Sequence, residues 1–178
     1  MQPEAEGTIL VRRYRAALVL IRTFLGLVYF TNGLAKLFSF HTVVIGTWTT
    51  NLINRADALN IQRNNTASAP GFLHHLGNVV VSNWGVVQWL LTVGELAVGI
   101  GLLLGLLNRI SAIAGLLLAL GTFVFTLGAS NTWTYDYLFE PVTLLALSLV
   151  PSLPGLDSYL PWTKSLSAKI KSLSVRVH

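Results

Sequence analysis

The stretch ISAIAGLLLALGTFVFTL, Ile110–Leu127, carries no charged residue and is dominated by leucine, isoleucine, alanine and valine. A run of this length and composition predicts a helix that crosses a lipid bilayer, because about 20 apolar residues at 1.5 Å rise span the hydrocarbon. Working outward, a second block runs from Trp84 to Leu107, interrupted by Gln88 and Glu95. Asn108-Arg109 reads as a short turn between the two. A fourth block, Tyr135–Val150, starts with Asp136 and Glu140 and stops at Pro151 and Pro154. The first block, Ala16–Phe40, is broken by Arg22, Asn32 and Lys36. Its basic flank also fits a signal peptide. It shows no small-x-small cleavage site, and a signal core would not hold Arg22, so it reads as an uncleaved helix.

The composition agrees with these blocks. Of 178 residues, 53% are hydrophobic and 11% charged, too few charges for the shell of a soluble domain, where about 25% is usual. The net charge of +5 comes from basic residues flanking the apolar blocks. It is therefore read as topology and not as a nucleic-acid surface, for which no basic groove or module is present. There is no cysteine, which excludes disulfides, Fe–S ligation and a persulfide carrier on this chain. His41, His74, His75 and His178 lie outside the apolar blocks, so a haem held between facing helices is not expected. His74-His75 reads as a solvated pair rather than a metal site. No nucleophile-and-base set, phosphate loop or metal spacing occurs.

The fold class predicted is all-α, an integral membrane bundle of four helices over residues 1–153, followed by a basic amphipathic tail over 154–178. Arg12, Arg13, Arg15, Arg109, Lys164, Lys169, Lys171 and Arg176 collect on one side, against Arg55 and Arg63 (with Lys36 near a helix end) on the other. The rule that basic loops stay inside puts both termini in the cytoplasm. Trp48, Trp84, Trp89, Trp133 and Trp162 fall near block ends, where aromatic belts occur. Residues 41–83 read as a long polar connection. Within it, Val44, Trp48, Leu52, Ala56 and Leu59 have helical spacing for a segment lying on the surface, and Asn60–Ser68 reads as a loop. Asn64-Asn65-Thr66 matches a glycosylation acceptor. The tail, with Leu160, Trp162, Leu166, Ile170 and Leu173 between lysines, reads as a lipid contact.

Charges inside hydrocarbon cost at least about 2.5 kcal/mol each, so Arg22, Lys36, Glu95 and Glu140 need partners. Arg22, Gly26, Tyr29, Gly33 and Lys36 step by four, three, four and three, and so share one helix face. Gln88, Thr92, Glu95 and Gly99 form a similar stripe. The pairs expected are Arg22 with Glu95, and Lys36 with Asp136 or Glu140. Such pairs serve as a structural clamp, as a polar pocket for a quinone headgroup, a proton or a small anion, or as charges that bind a partner subunit's helix. Gly101 and Gly105, with Ser111 and Gly115, point to close packing of the second and third helices.

Arg22 followed by Gly26-Leu-Val-Tyr29-Phe and Gly33-Leu-Ala-Lys36, then Gly94-Glu95-Leu-Ala-Val-Gly99-Ile-Gly-Leu-Leu-Leu-Gly105 and Asn108-Arg109, resembles the DoxX/DoxD family. The Trp133-x-Tyr135-x-Tyr137 entry to the last helix is similar too, and the likeness covers most of residues 16–150. The long first connection is closer to DoxD, the small membrane subunit of thiosulfate:quinone oxidoreductase, than to the shortest DoxX proteins. The resemblance implies a multi-pass subunit of a redox complex in a bacterial or archaeal inner membrane, with Arg22, Lys36, Glu95 and Arg109 as recurring polar positions. On this reading Glu95 is a proton carrier, and Arg22, Tyr29, Lys36 and Glu140 bind quinone. No cofactor is bound covalently, and the partners are lipid and other subunits. The alternatives are an accessory subunit that stabilises a larger respiratory or photosynthetic complex, and a small-solute transporter or channel.

Overall fold

In the computed structural model, residues 3–126, 134–150 and 153–155 are described. The chain begins with a long helix, α1 (Pro3–Phe38). A two-stranded hairpin follows, β1 (Thr42–Ile45) and β2 (Trp48–Asn51), then α2 (Arg55–Ser68), α3 (Gly71–Ser82), α4 (Trp84–Leu104), α5 (Asn108–Thr126) and α6 (Thr134–Leu149). Among the described residues, three stretches are long and apolar enough to cross a membrane: Val11–Phe38, Trp84–Leu104 and Asn108–Thr126. At 1.5 Å per residue the first is about 42 Å long, more than the roughly 30 Å hydrocarbon layer needs. Tyr137–Leu149 of α6 is a shorter apolar helix. The protein is thus a multi-pass membrane protein of the all-α class.

The helix ends sit where the sequence breaks the apolar pattern. Ser39 at φ 59° and Gly105 at φ 67° stop α1 and α4 in the left-handed conformation. The turn expected at Asn108-Arg109 lies instead at Gly105–Leu107, and Asn108 and Arg109 form the first turn of α5. Gly105 ends the helix, so no residue is left over for a later turn.

The connection after α1 also differs from the expectation. Val44 and Trp48 are strand residues, not one face of a surface helix. Thr42-Val-Val-Ile45 and Trp48-Thr-Thr-Asn51 are rich in β-branched residues, which favour strands. They pair antiparallel, with Ile45 opposite Trp48, around the two-residue loop Gly46-Thr47, where Gly46 takes φ 63°. Residues 60–68, expected as a loop, are the second half of α2. That helix is nucleated by a capping box in which the Asn54 side chain accepts from Ala56 and Asp57, while Asp57 accepts from the Asn54 amide. The acceptor triplet is folded into this helix with Asn65 and Thr66 buried. Asn32 of α1 accepts from the Ile53 amide at 3.1 Å and so ties the hairpin to the end of the first helix.

The core lies between α1, α4, α5 and α6. Leu102, Leu144, Val98 and Thr92 are its fully buried side chains. Thr92 satisfies its hydroxyl by donating to the Gln88 carbonyl at 2.6 Å, as a buried hydroxyl in hydrocarbon must. Helix α1 runs antiparallel to α4 at backbone contact: Gly26 faces Leu103, Phe30 faces Gly99 and Gly33 faces Leu96. A Cβ on Gly99 would lie 2.5 Å from the Phe30 nitrogen, and one on Gly26 2.7 Å from the Leu103 nitrogen. Gly101 faces Ser111 on α5, so the small residues expected between those helices do meet there. Gly105, by contrast, serves as the cap.

Gly99→Ala should destabilise the detergent-solubilised protein by about 1–3 kcal/mol, although alanine gains about 1 kcal/mol of helix propensity. Gly85→Ala meets open space and should be neutral or stabilising. Thermal unfolding followed by circular dichroism measures both, and equal melting temperatures would sink the close-contact account.

Candidate functional site

The α1 stripe faces the bundle as its spacing requires. Gly26 and Gly33 lie against α4, and Arg22, Tyr29 and Lys36 are all buried. Their partners are not all those expected. Lys36 Nζ donates to both carboxylate oxygens of Glu95, at 2.9 and 2.8 Å, with side-chain exposures of 5% and 17%. This replaces the expected pairing of Lys36 with Asp136 or Glu140. The antiparallel register explains it: with Gly33 opposite Leu96, the next turn of α1 brings Lys36 beside Glu95. The side chain of Asp136 lies outside the described residues.

Arg22 does not meet Glu95. It sits about 21 Å further along α1 from Lys36, fourteen residues at 1.5 Å each. There its Nη1 donates to Asn108 Oδ1 at 3.1 Å and to the Pro154 carbonyl at 2.8 Å. Asn108 in turn donates to the Leu153 carbonyl at 3.3 Å. Arg22 therefore ties α1, the α4–α5 turn and the segment after α6 together at one end of the bundle. Two of its partners are a neutral side chain and a carbonyl, groups that a search for opposite charges passes over.

Tyr29 stands between these two ends. Its hydroxyl donates to the Gly115 carbonyl of α5 at 3.0 Å, in a buried contact. The Glu140 carboxylate is close enough to act on the same hydroxyl, and both Glu95 and Glu140 contribute to its electrostatic surroundings. Glu95 and Glu140 also sense each other's charge. Pro141, inside α6, directly follows Glu140. Proline has no N–H, so it leaves the Tyr137 carbonyl without its helical donor and adds a polar atom to this level of the bundle. Of the five residues singled out in the sequence, the structure brings Tyr29, Lys36, Glu95 and Glu140 into one polar core and leaves Arg22 apart.

His74 contacts the Thr66 carbonyl at 2.8 Å on the α2–α3 pair, and His41 lies 3.3 Å from Asp57. Among the described residues no group of three or more His, Asp or Glu side chains is placed to hold a metal. Trp133 and the tail residues from Leu160 onward, including Lys164, Lys169, Lys171 and Arg176, lie outside the described residues.

What the fold and the site define is a multi-pass membrane protein with a charged pair buried between two closely packed helices. The family model DoxX matches residues 17–128, from the first turns of the α1 span to just past the end of α5. The chain belongs to the DoxX family. No curated protein and no solved structure matches it.

Removing one partner of the buried pair leaves an uncompensated charge. Lys36→Met or Glu95→Leu alone should therefore destabilise the protein by about 3–5 kcal/mol, whereas the double variant should lose much less. A double-mutant cycle on denaturant unfolding in detergent gives the coupling. Additive losses would mean that the two side chains do not depend on each other.

Proposed function

We propose that this chain is a membrane subunit of a quinone-linked redox complex, and that the polar core around Lys36 and Glu95 handles protons at the quinone headgroup. The reading places four spanning helices in the cell membrane with both termini in the cytoplasm. In support, Arg12, Arg13, Arg15 and Arg109 belong to the Arg22 end of the bundle, while Arg55 and Arg63 belong to the hairpin end. At 16 residues, α6 is about 24 Å long, short of the hydrocarbon thickness by an amount that local thinning and flanking residues absorb.

The observation that carries the proposal is the Lys36–Glu95 pair, buried with Tyr29 and Glu140 in one polar core. The donor set suits a quinone: an ammonium and a phenol to orient a carbonyl oxygen, and two carboxyl groups to exchange protons. Glu95 keeps 17% exposure, so its carboxylate is not sealed off. Quinone reduction takes up two electrons and two protons. The electrons come from a redox centre on a partner subunit, since a chain without cysteine carries no Fe–S cluster or persulfide. Glu95 delivers a proton to the bound oxygen, and Lys36 stabilises the carboxylate that remains. On this reading Glu140, beside the Tyr29 hydroxyl, delivers the second proton.

A second reading, an accessory subunit without a chemical step, is favoured by a separate observation. The two charges satisfy each other at the same interface where Gly26, Gly33 and Gly99 bring the backbones together, as a clamp on helix register would require. Glu95→Gln in the complex isolated from native membranes separates the two. The proton-carrier role predicts a fall of about 10²–10⁴ in quinone reduction per assembled complex, however many complexes assemble. The accessory role predicts fewer assembled complexes, each reducing quinone at the normal rate.

A further inference from the structure

At the hairpin end of the bundle a cavity of about 360 Å³ opens between the end of α1 and the starts of α2 and α4. It is lined by Ser39, Asn54, Arg55, Leu59, Trp84 and Gln88, among others. The Arg55 guanidinium is fixed in two ways. Its Nη2 donates to Ser39 Oγ at 2.9 Å, and its plane centre lies 4.7 Å from the Trp89 ring, within cation–π range. Among the described residues no carboxylate forms an ion pair with it. Asp57, the acid nearest to it in sequence, is occupied by the Asn54 amide and His41. Among the described residues the cavity wall holds one cation and no acid. Asn54 spends its side-chain oxygen on the amides of Ala56 and Asp57, which leaves its NH₂ group to donate. The Trp84 indole and the Ser39 hydroxyl are further donors. Such a lining selects an anion, and a guanidinium stacked on an aromatic ring keeps its planar edge free for a phosphate.

The position says where the anion comes from. The α1 span ends at Phe38, next to Ser39, and the α4 span begins at Trp84. The cavity therefore opens at the level where hydrocarbon gives way to headgroups. Phe38, which adjoins Ser39, and Trp89, which carries the Arg55 guanidinium, are both exposed, a path for acyl chains. We propose that this cavity holds the phosphate of an anionic membrane lipid on Arg55, with the lipid's chains against Phe38 and Trp89. The site is distinct from the Lys36–Glu95 core and does not depend on its function.

The test is native mass spectrometry of the full chain in detergent micelles doped with phosphatidylglycerol or phosphatidylcholine. The wild-type protein should retain phosphatidylglycerol about fivefold more tightly, the preference expected of one arginine at a membrane surface. Arg55→Gln should abolish the preference. Ser39→Ala, which frees the guanidinium and alters only a hydroxyl, should weaken it even if Arg55→Gln does not fold. Arg63→Gln, at an exposed position of the same helix, should leave it unchanged. Equal retention of the two lipids by the wild type would overturn the proposal, as would an undiminished preference in Arg55→Gln or an equal loss in Arg63→Gln. Displacement of the lipid by millimolar inorganic phosphate would also overturn it, because the site would then be one for a free anion.

Discussion

The architecture depends on how closely α1 and α4 approach. Gly26, Gly33 and Gly99 allow main-chain contact between two antiparallel helices. In a bilayer this is the main route to helix association, since lipid tails are as apolar as the side chains they would replace. Contact at that distance admits one register. That register brings Lys36 to Glu95 and sets Arg22 beside the α4–α5 turn, where Gly105 gives way to the guanidinium and to Gly155. The ionic contacts are thus consequences of the glycine seam rather than its cause.

The same logic carries the polar core across to α5 and α6. Gly115 lies against Val98 of α4 and Leu144 of α6, and its lack of a side chain leaves its carbonyl accessible to the Tyr29 hydroxyl. A helix interior normally hides its carbonyls behind side chains, so a glycine is the natural place for a phenol from another helix to bond. Leu102 and Leu144, both fully buried, close the layer on either side of this contact. A hydroxyl, two carboxylates and an ammonium thereby share one electrostatic neighbourhood inside the bundle.

Much of this was legible in the sequence. The apolar blocks located α4, α5 and α6 to within a few residues, because a bilayer demands long apolar runs whatever the tertiary context, whereas α1 begins at Pro3, thirteen residues ahead of its block. The α1 stripe from Arg22 to Lys36 correctly marked the face turned inward. Two things were not legible. The pairing of charges depends on the relative shift of two helices, and one turn of α4 changes a partner; Arg22 and Glu95 share opposite signs but not depth. The connection after α1 was misread because the four-residue interval from Val44 to Trp48 mimics a helix. The β-branched content of residues 42–50 and the Asn54-to-Asp57 capping box were the better signals, and both are local. The Arg55 cavity had no signal of its own, since Ser39, Arg55 and Trp89 meet only once the chain has folded.

The buried charges bear on why the core is polar at all. A clamp on register is redundant where glycines already permit a single close approach, and an apolar pair of matching volume holds helices together at least as well as a buried ion pair. A clamp also has no use for a third and fourth polar group. Yet Tyr29 and Glu140 stand near enough to Glu95 to act on its electrostatic surroundings, each adding desolvation cost in a medium where unpaired polar atoms are expensive. Two carboxylates beside one ammonium form an unequal set, with one acid more than the base can pair. That imbalance is costly for a structural device and useful for one that moves protons.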